Sequence, residues 1–271
     1  MNYNNPYRPQ SFNVLPPVVK NLLIINGIFL LAKYVLYNQY HIDLADKLGL
    51  HFPLSSSFQP YQIVTYLFMH ADFWHLFFNM FALWMFGNTL ENLWGSKRFL
   101  IYYMVTGIGA AVCHYTVVYF QMHETLSYIN DFIANPSLPA FDEFTSSRNL
   151  PFSSKELLTQ YNPQEALQIA VDSIREYKTA LLDAPVIVGA SGAVFGILLA
   201  FGVLFPNTRL YIYMAIPVKA KWFVLGYGLI ELFSGIRGSA GDNVAHFAHL
   251  GGMLFGFILL KYWQKQNNRF Y

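Results

Sequence analysis

Long apolar stretches alternate with short polar breaks along the chain. Six of them approach the roughly 20 mostly apolar residues that a membrane-spanning helix needs: 21–36, 65–90, 99–119, 185–205, 222–234 and 244–263. The pattern predicts an all-α membrane protein with six spans. The fifth stretch is the shortest, so that span is expected to tilt or to borrow 218–221. Segment 122–184 is too polar to span. Within it, Ser153 followed by Glu156 reads as a capped helix start, and 163–177 mixes Ala, Leu, Ile and charges at helical spacing. An insertion with one or two short surface helices is expected there, against the alternative of a solvated linker. Segment 209–217 sets Tyr211, Ile212, Tyr213 and Met214 between Arg209 and Pro217, and is expected to lie in the membrane interface.

Composition agrees with the pattern. The chain is 55% hydrophobic and 12% charged, where a soluble domain carries about 25% charged residues. With the N-terminus inside, most Lys and Arg fall on the cytoplasmic side, whereas acids outnumber bases in 122–184, which is therefore expected outside. The implied layout is a cytoplasmic tail at 1–19, a membrane domain at 20–263 with an outer-face insertion at about 122–184, and a second cytoplasmic tail at 264–271. The expected location is a cell membrane, plasma or inner, with both termini cytoplasmic. The polar start and the lack of a small-x-small cleavage site argue that the first span is retained. Cys113, the one cysteine, forms no internal disulfide. A net charge of +2 points to no polyanionic partner, and no nucleic acid is expected.

Ionisable and polar groups inside spans are costly, so each is a functional-site candidate. His70, His75 and Asn79 belong to the second span, Ser191 opens the fourth, and His246 and His249 open the sixth. Alternating topology puts all of them near the outer face. Gly189-Ala190-Ser191-Gly192 starts an apolar helix, where unpaired amides and the helix dipole favour an oxyanion. A lone G-x-S-G also marks ordinary helix packing. Serine needs a base within reach, and His249 is the candidate. Gly252 and Gly256 follow it on one face, and Gly192 with Gly196 form a matching stripe beside Ser191, so the two helices can pack almost backbone to backbone. His246 is the competing base and, nearer the loop, is assigned a structural or solvated role. His75 and Asn79, one turn apart, either donate to an oxyanion alongside the Ser191 amide or satisfy loop carbonyls.

His70-x4-His75-x3-Asn79, Gly189-x-Ser191-Gly192 and Ala248-His249-x2-Gly252-x3-Gly256 together resemble the rhomboid protease family. So do Glu91-x3-Gly95-Ser96-x-Arg98-Phe99, Phe205-Pro206-Asn207 and 216–222. The resemblance runs from about 60 to 260, apart from the insertion. It implies a six-transmembrane-helix rhomboid-like bundle and an intramembrane serine endopeptidase, without metal or cofactor. Its partners would be the lipid bilayer and transmembrane protein substrates, cut near the outer membrane face. Carried over, Ser191 is the nucleophile, His249 the general base and acid, and His75 and Asn79 the oxyanion donors. His70, Gly189, Gly192, Phe195 and Gly252 support them. The sequence places no Asp or Glu to orient His249, so a Ser–His dyad is expected, its ring held by Phe195 and close packing. Tyr61-Gln62 stands where the family often has Trp-Arg, Phe195 where it often has Tyr, and the insertion is uncommon. Two alternatives differ in class. One is a membrane protein ligating metal or haem through His70, His75, His246 and His249, which leaves the Gly-Ser-Gly start unexplained. The other is an inactive relative that only binds membrane segments.

Overall fold

A computed structural model describes residues 12–212, 215–237 and 245–266. Most of the N-terminal tail, Tyr213, Met214, position 244 of the sixth stretch and 267–271 of the C-terminal tail lie outside the described residues. Two compact units emerge: 1–49, 61–114 and 187–271 form the first, and 50–60 with 115–186 form the second. In chain order the helices are α1 (Pro17–Tyr40), α2 (Leu44–Leu48), α3 (Gln62–Thr65), α4 (Phe73–Trp94), α5 (Ser96–Ala134), α6 (Leu138–Ser147), α7 (Ser154–Gln160), α8 (Pro163–Asp183), α9 (Ser191–Leu204), α10 (Ala220–Arg237) and α11 (His246–Gln266). Each apolar stretch overlaps one of α1, α4, α5, α9, α10 or α11.

By length and composition α1 and α5 are fit to cross a bilayer, while α9 is apolar but has only 14 residues. Many large apolar side chains of the first unit are exposed, among them Leu31, Phe78, Ile230, Phe233 and Ile258. Such a surface suits lipid, since contiguous apolar area of that kind is a liability in water.

Helix α9 is the buried centre of the first unit, packed most extensively on α11 and then on α4. It begins six residues later than the apolar stretch that predicted it, because Pro185 and Gly189 keep 185–190 out of helix. Helix α1 opens at Pro16, which offers no side-chain cap. Its orphan amides on Val18 and Val19 instead donate to the buried carboxylate of Glu91, at 2.9 and 2.8 Å. Ser96 donates to the same carboxylate at 2.6 Å, and Asn88 and Asn92 donate to the carbonyls of Val14 and Asn13. The Glu91-x3-Gly95-Ser96 motif thus fastens the end of α4 to the start of α1. Segment 209–217, read as interfacial, overlaps an antiparallel strand pair in which Arg209–Ile212 pairs with Ile216–Lys219, Arg209 opposite Lys219.

Helix α5 continues well past the apolar stretch at 99–119, as far as Ala134. The first strong stop after Phe99 is Asn135-Pro136, where the residue before proline is pushed out of the helical region. Its far end joins α6, α7 and α8 around Ile129, Phe132, Phe141, Phe144, Ala170, Val171 and Ile174. Segment 122–184 is therefore helical with a core of its own, more structured than one or two surface helices. Ser153 caps α7 as its sequence indicates, and Asn162 with Glu165 forms a capping box on α8. Elsewhere in this unit Tyr115 hydrogen-bonds the carbonyl of Leu50, and the Ser55 hydroxyl donates to Asp183.

Candidate active site

Ser191 is the first residue of α9, and Ala190 before it supplies no side-chain cap, so the opening amides of the helix have no side-chain acceptor of that kind. Gly189 adopts φ +125°, a conformation L side chains rarely take, and its N–H donates to the Tyr66 carbonyl at 2.9 Å. A β-carbon there would lie 2.9 Å from both Cε1 and Nε2 of His75 and 3.7 Å from Ser191 Oγ. Glycine is what admits the His75 ring beside the start of α9.

His75 sits in the first turn of α4, where its amide donates to the capping carboxylate of Asp72 at 2.9 Å. Its Nδ1 accepts from the Ala71 amide at 3.4 Å, which puts the ring proton on Nε2, the nitrogen facing Gly189. One turn on, Asn79 is buried and its Nδ2 donates to the His75 carbonyl at 3.0 Å. His70 is fully buried and meets His75 edge to face, centroids 5.0 Å apart. It therefore gives His75 a ring contact. The carbonyls of His70 and Ala71 take the Lys33 ammonium at 3.1 and 2.6 Å. Tyr61 and Gln62, the departure from Trp-Arg, both reach the Lys47 carbonyl at 3.3 Å.

His249 lies in the first turn of α11 and is 8% exposed. Phe195, one turn after Ser191, stacks on its imidazole with centroids 4.1 Å apart and planes 5° off parallel; Tyr227 of α10 stacks on Phe195 at 5.1 Å. The helices carrying Ser191 and His249 touch through backbone. A β-carbon on Gly252 would overlap the Gly192 carbonyl, and one on Gly192 would reach the Ala248 carbonyl at 3.5 Å.

One expectation is overturned here. An acid does lie against His249: Glu231 of α10, 6% exposed, whose Oε2 bonds His249 Nδ1 at 2.8 Å and His246 Nδ1 at 2.7 Å. His246 is accordingly part of this cluster rather than solvated. The signal was present in the sequence, since Glu231 is the sole charged residue in 222–234, and an ionisable group inside a span is a candidate by default. The four-histidine ligand set does not gather. Among the described residues the one group of three or more potential ligand side chains is Glu231, His246 and His249, with ligand atoms within 4.8 Å.

Buried polar groups on α4, α10 and α11, packed against α9 inside helices with exposed apolar side chains, define a helical membrane protein with a chemically equipped interior. The chain belongs to the rhomboid family: the Rhomboid domain matches residues 57–126 and 166–265, more than half of the sequence. It is similar to Rhomboid protein 1, mitochondrial, of Saccharomyces cerevisiae, 24% identical over 210 residues that cover 76% of this chain and 44% of that protein. It is also similar to an uncharacterized mitochondrial rhomboid protein of Schizosaccharomyces pombe, 26% identical over 216 residues, 76% of this chain and 52% of the relative. A shorter match, 34% over 55 residues, joins it to the rhomboid protease GluP of Bacillus subtilis, covering 20% of this chain and 11% of that one. The chain spans about half the length of the two yeast relatives. The gap in the domain match, 127–165, falls within the second unit.

Proposed function

We propose that this chain is an intramembrane serine endopeptidase with six spans, α1, α4, the first part of α5, α9, α10 and α11, which cuts transmembrane protein substrates near the outer membrane face. Both termini are cytoplasmic and 122–184 is outside, as the distribution of basic and acidic residues favours. A plasma or inner membrane suits that charge pattern, and the two yeast relatives carry mitochondrial names. The observation that supports the chemistry best is the stack of Phe195 on His249, which ties the imidazole to the residue one turn beyond Ser191.

Ser191 Oγ attacks the scissile carbonyl while His249 takes its proton, and the developing oxyanion is met by the Ser191 amide, His75 Nε2–H and the Asn79 amide. His249 then passes the proton to the leaving amine, which departs and leaves an acyl-enzyme on Ser191. Water, deprotonated by His249, attacks the ester, and His249 returns that proton to Ser191 Oγ as the C–O bond breaks and the acid product is freed. No cofactor enters any step. The substrate is a helix that unwinds locally, since a helical carbonyl is already engaged by its own backbone.

A fluorophosphonate probe on purified protein tests the reading. Labelling should map to Ser191, Ser191→Ala should be neither labelled nor active, and a chelator should leave cleavage intact. Asn79→Ala should turn over roughly a hundredfold to a thousandfold more slowly, the loss typical of one oxyanion donor, with an unchanged melting temperature. Cleavage that vanished with metal removal and returned with zinc would defeat the serine mechanism. Normal turnover with lowered heat stability in Asn79→Ala would reassign Asn79 to structure.

A further inference from the structure

We propose that Glu231 is a positioning residue that turns the Ser191–His249 pair into a Ser–His–Glu relay, with His246 as a second donor holding the carboxylate in place. The inference rests on the serine-protease reading and deepens it.

The geometry assigns each contact a separate task. Stacking on Phe195 sets the plane of the His249 ring, but a face-to-face contact is indifferent to rotation within that plane and to a flip that exchanges the two ring edges. The bond to Glu231 supplies the missing handle, because it reaches one edge, at Nδ1. As a carboxylate Glu231 only accepts, so Nδ1 of His249 must carry the proton and Nε2 of the neutral ring is left bare. That is the tautomer a base for Ser191 requires. As the serine proton moves from Oγ to Nε2, His249 becomes an imidazolium and Glu231 stays ionised beside it; no proton passes to the carboxylate, and the positive ring faces a fixed negative charge while the oxyanion forms.

Why two histidines bind one acid follows from burial. A lone carboxylate on an apolar helix is expensive, and Glu231 is 6% exposed. His246 and His249 lie three residues apart on α11, so both rings face the same way and a single oxygen can accept from each. Gly235, one turn along α10 from Glu231, makes room: a β-carbon there would lie 3.2 Å from His246 Cβ. Tyr227, one turn to the other side, stacks on Phe195. The chain of contacts Tyr227–Phe195–His249–Glu231 therefore closes on itself through α9, α10 and α11.

The experiment uses the full chain in proteoliposomes with a transmembrane substrate, measuring kcat, KM, the rate of fluorophosphonate labelling at Ser191, melting temperature and the His249 tautomer by ¹⁵N NMR. Glu231→Gln should lower kcat and the labelling rate together by about a hundredfold, less than the roughly 10⁴-fold seen when the carboxylate of a Ser–His–Asp set is neutralised, because Phe195 still holds the ring plane. KM and melting temperature should stay close to wild type. Glu231→Asp should recover part of the loss, and His246→Gln should lose about tenfold. Because His246 acts through Glu231, the double variant Glu231→Gln/His246→Gln should be no slower than Glu231→Gln alone. In Glu231→Leu the Nδ1-protonated form should give way to the Nε2-protonated one. Turnover and labelling within about twofold of wild type in Glu231→Gln would overturn the relay and leave packing as the sole orienting force. So would an unchanged tautomer in Glu231→Leu, or a loss confined to melting temperature and KM. Cleavage that survives Ser191→Ala sinks the protease reading and the relay together, and differs from failure of the relay alone, in which Ser191→Ala is dead while Glu231→Gln is active.

Discussion

The two units share one way of meeting the unpaired amides at a helix start, a cap from the residue just before, but only the first unit also uses another. In the second unit α6, α7 and α8 each bring a cap from the residue just before them, Ser137, Ser153 and Asn162. In the first unit Asp43 and Asp72 cap α2 and α4 in the same way, but α1 and α9 begin after Pro16 and Ala190, which have nothing to offer. The α1 amides are met by Glu91, more than 70 residues away in sequence, and the α9 amides are left without a side-chain cap, which suits the oxyanion role proposed for the Ser191 amide. Where the preceding residue carries no acceptor, a distant side chain such as Glu91 has to reach across to the helix start. An end with no cap at all is affordable where a ligand is to take that role.

That contrast can be broken. The largest effect is expected from Gly252→Leu, which drives a side chain into the Gly192 carbonyl and should prevent recovery of a folded, probe-reactive protein. Recovery with normal Ser191 labelling would show that α9 and α11 have slack between them. Next comes Phe144→Ala in the second unit, where Phe144 is fully buried and packs on Tyr128 and Tyr177. It should cost about 3–5 kcal/mol, read as faster hydrogen exchange in α6 and α8, with α9 and α11 protected as before. Exchange that rose in α9 as well would erase the distinction between the units. The smallest pair compares the caps directly. Glu91→Ala strands the part-buried Val18 amide and the buried Val19 amide and should cost about 2–3 kcal/mol, whereas Asn162→Ala should cost about 1 kcal/mol. Equal losses in thermal unfolding would mean that distance along the chain does not matter to a cap.

The same contrast explains what the sequence disclosed. Helix α7 could be read from Ser153 and Glu156 because cap and helix lie within four residues, and the six apolar stretches each overlap a helix because a run of apolar residues is a local property. The end of α5 was missed because apolarity stops before helix does, and helix persists until Asn135-Pro136. Ser191, His249, His75 and Asn79 stood out as polar groups among apolar neighbours. Glu231 belonged to the same class and was passed over, since its partners His246 and His249 sit on a different helix and no spacing within α10 announces them. The long-range grip of Glu91 on α1 escaped for that reason too: periodicity tells which face of a helix is apolar, not which distant side chain will meet its end.

The brevity of α9 has a consequence for where chemistry happens. Fourteen residues rise about 21 Å at 1.5 Å each, against a hydrocarbon core of about 30 Å. Under the proposed topology, with Leu204 level with one boundary of that core and α9 along the membrane normal, Ser191 would lie roughly 9 Å beneath the other. The depth of the proposed reaction would then be a property of the lipid as well as of the protein. Shorter acyl chains bring the boundary down toward the serine and shorten the path of incoming water, while longer chains sink the same serine deeper, so two membranes of different thickness would present one sequence as two differently accessible enzymes.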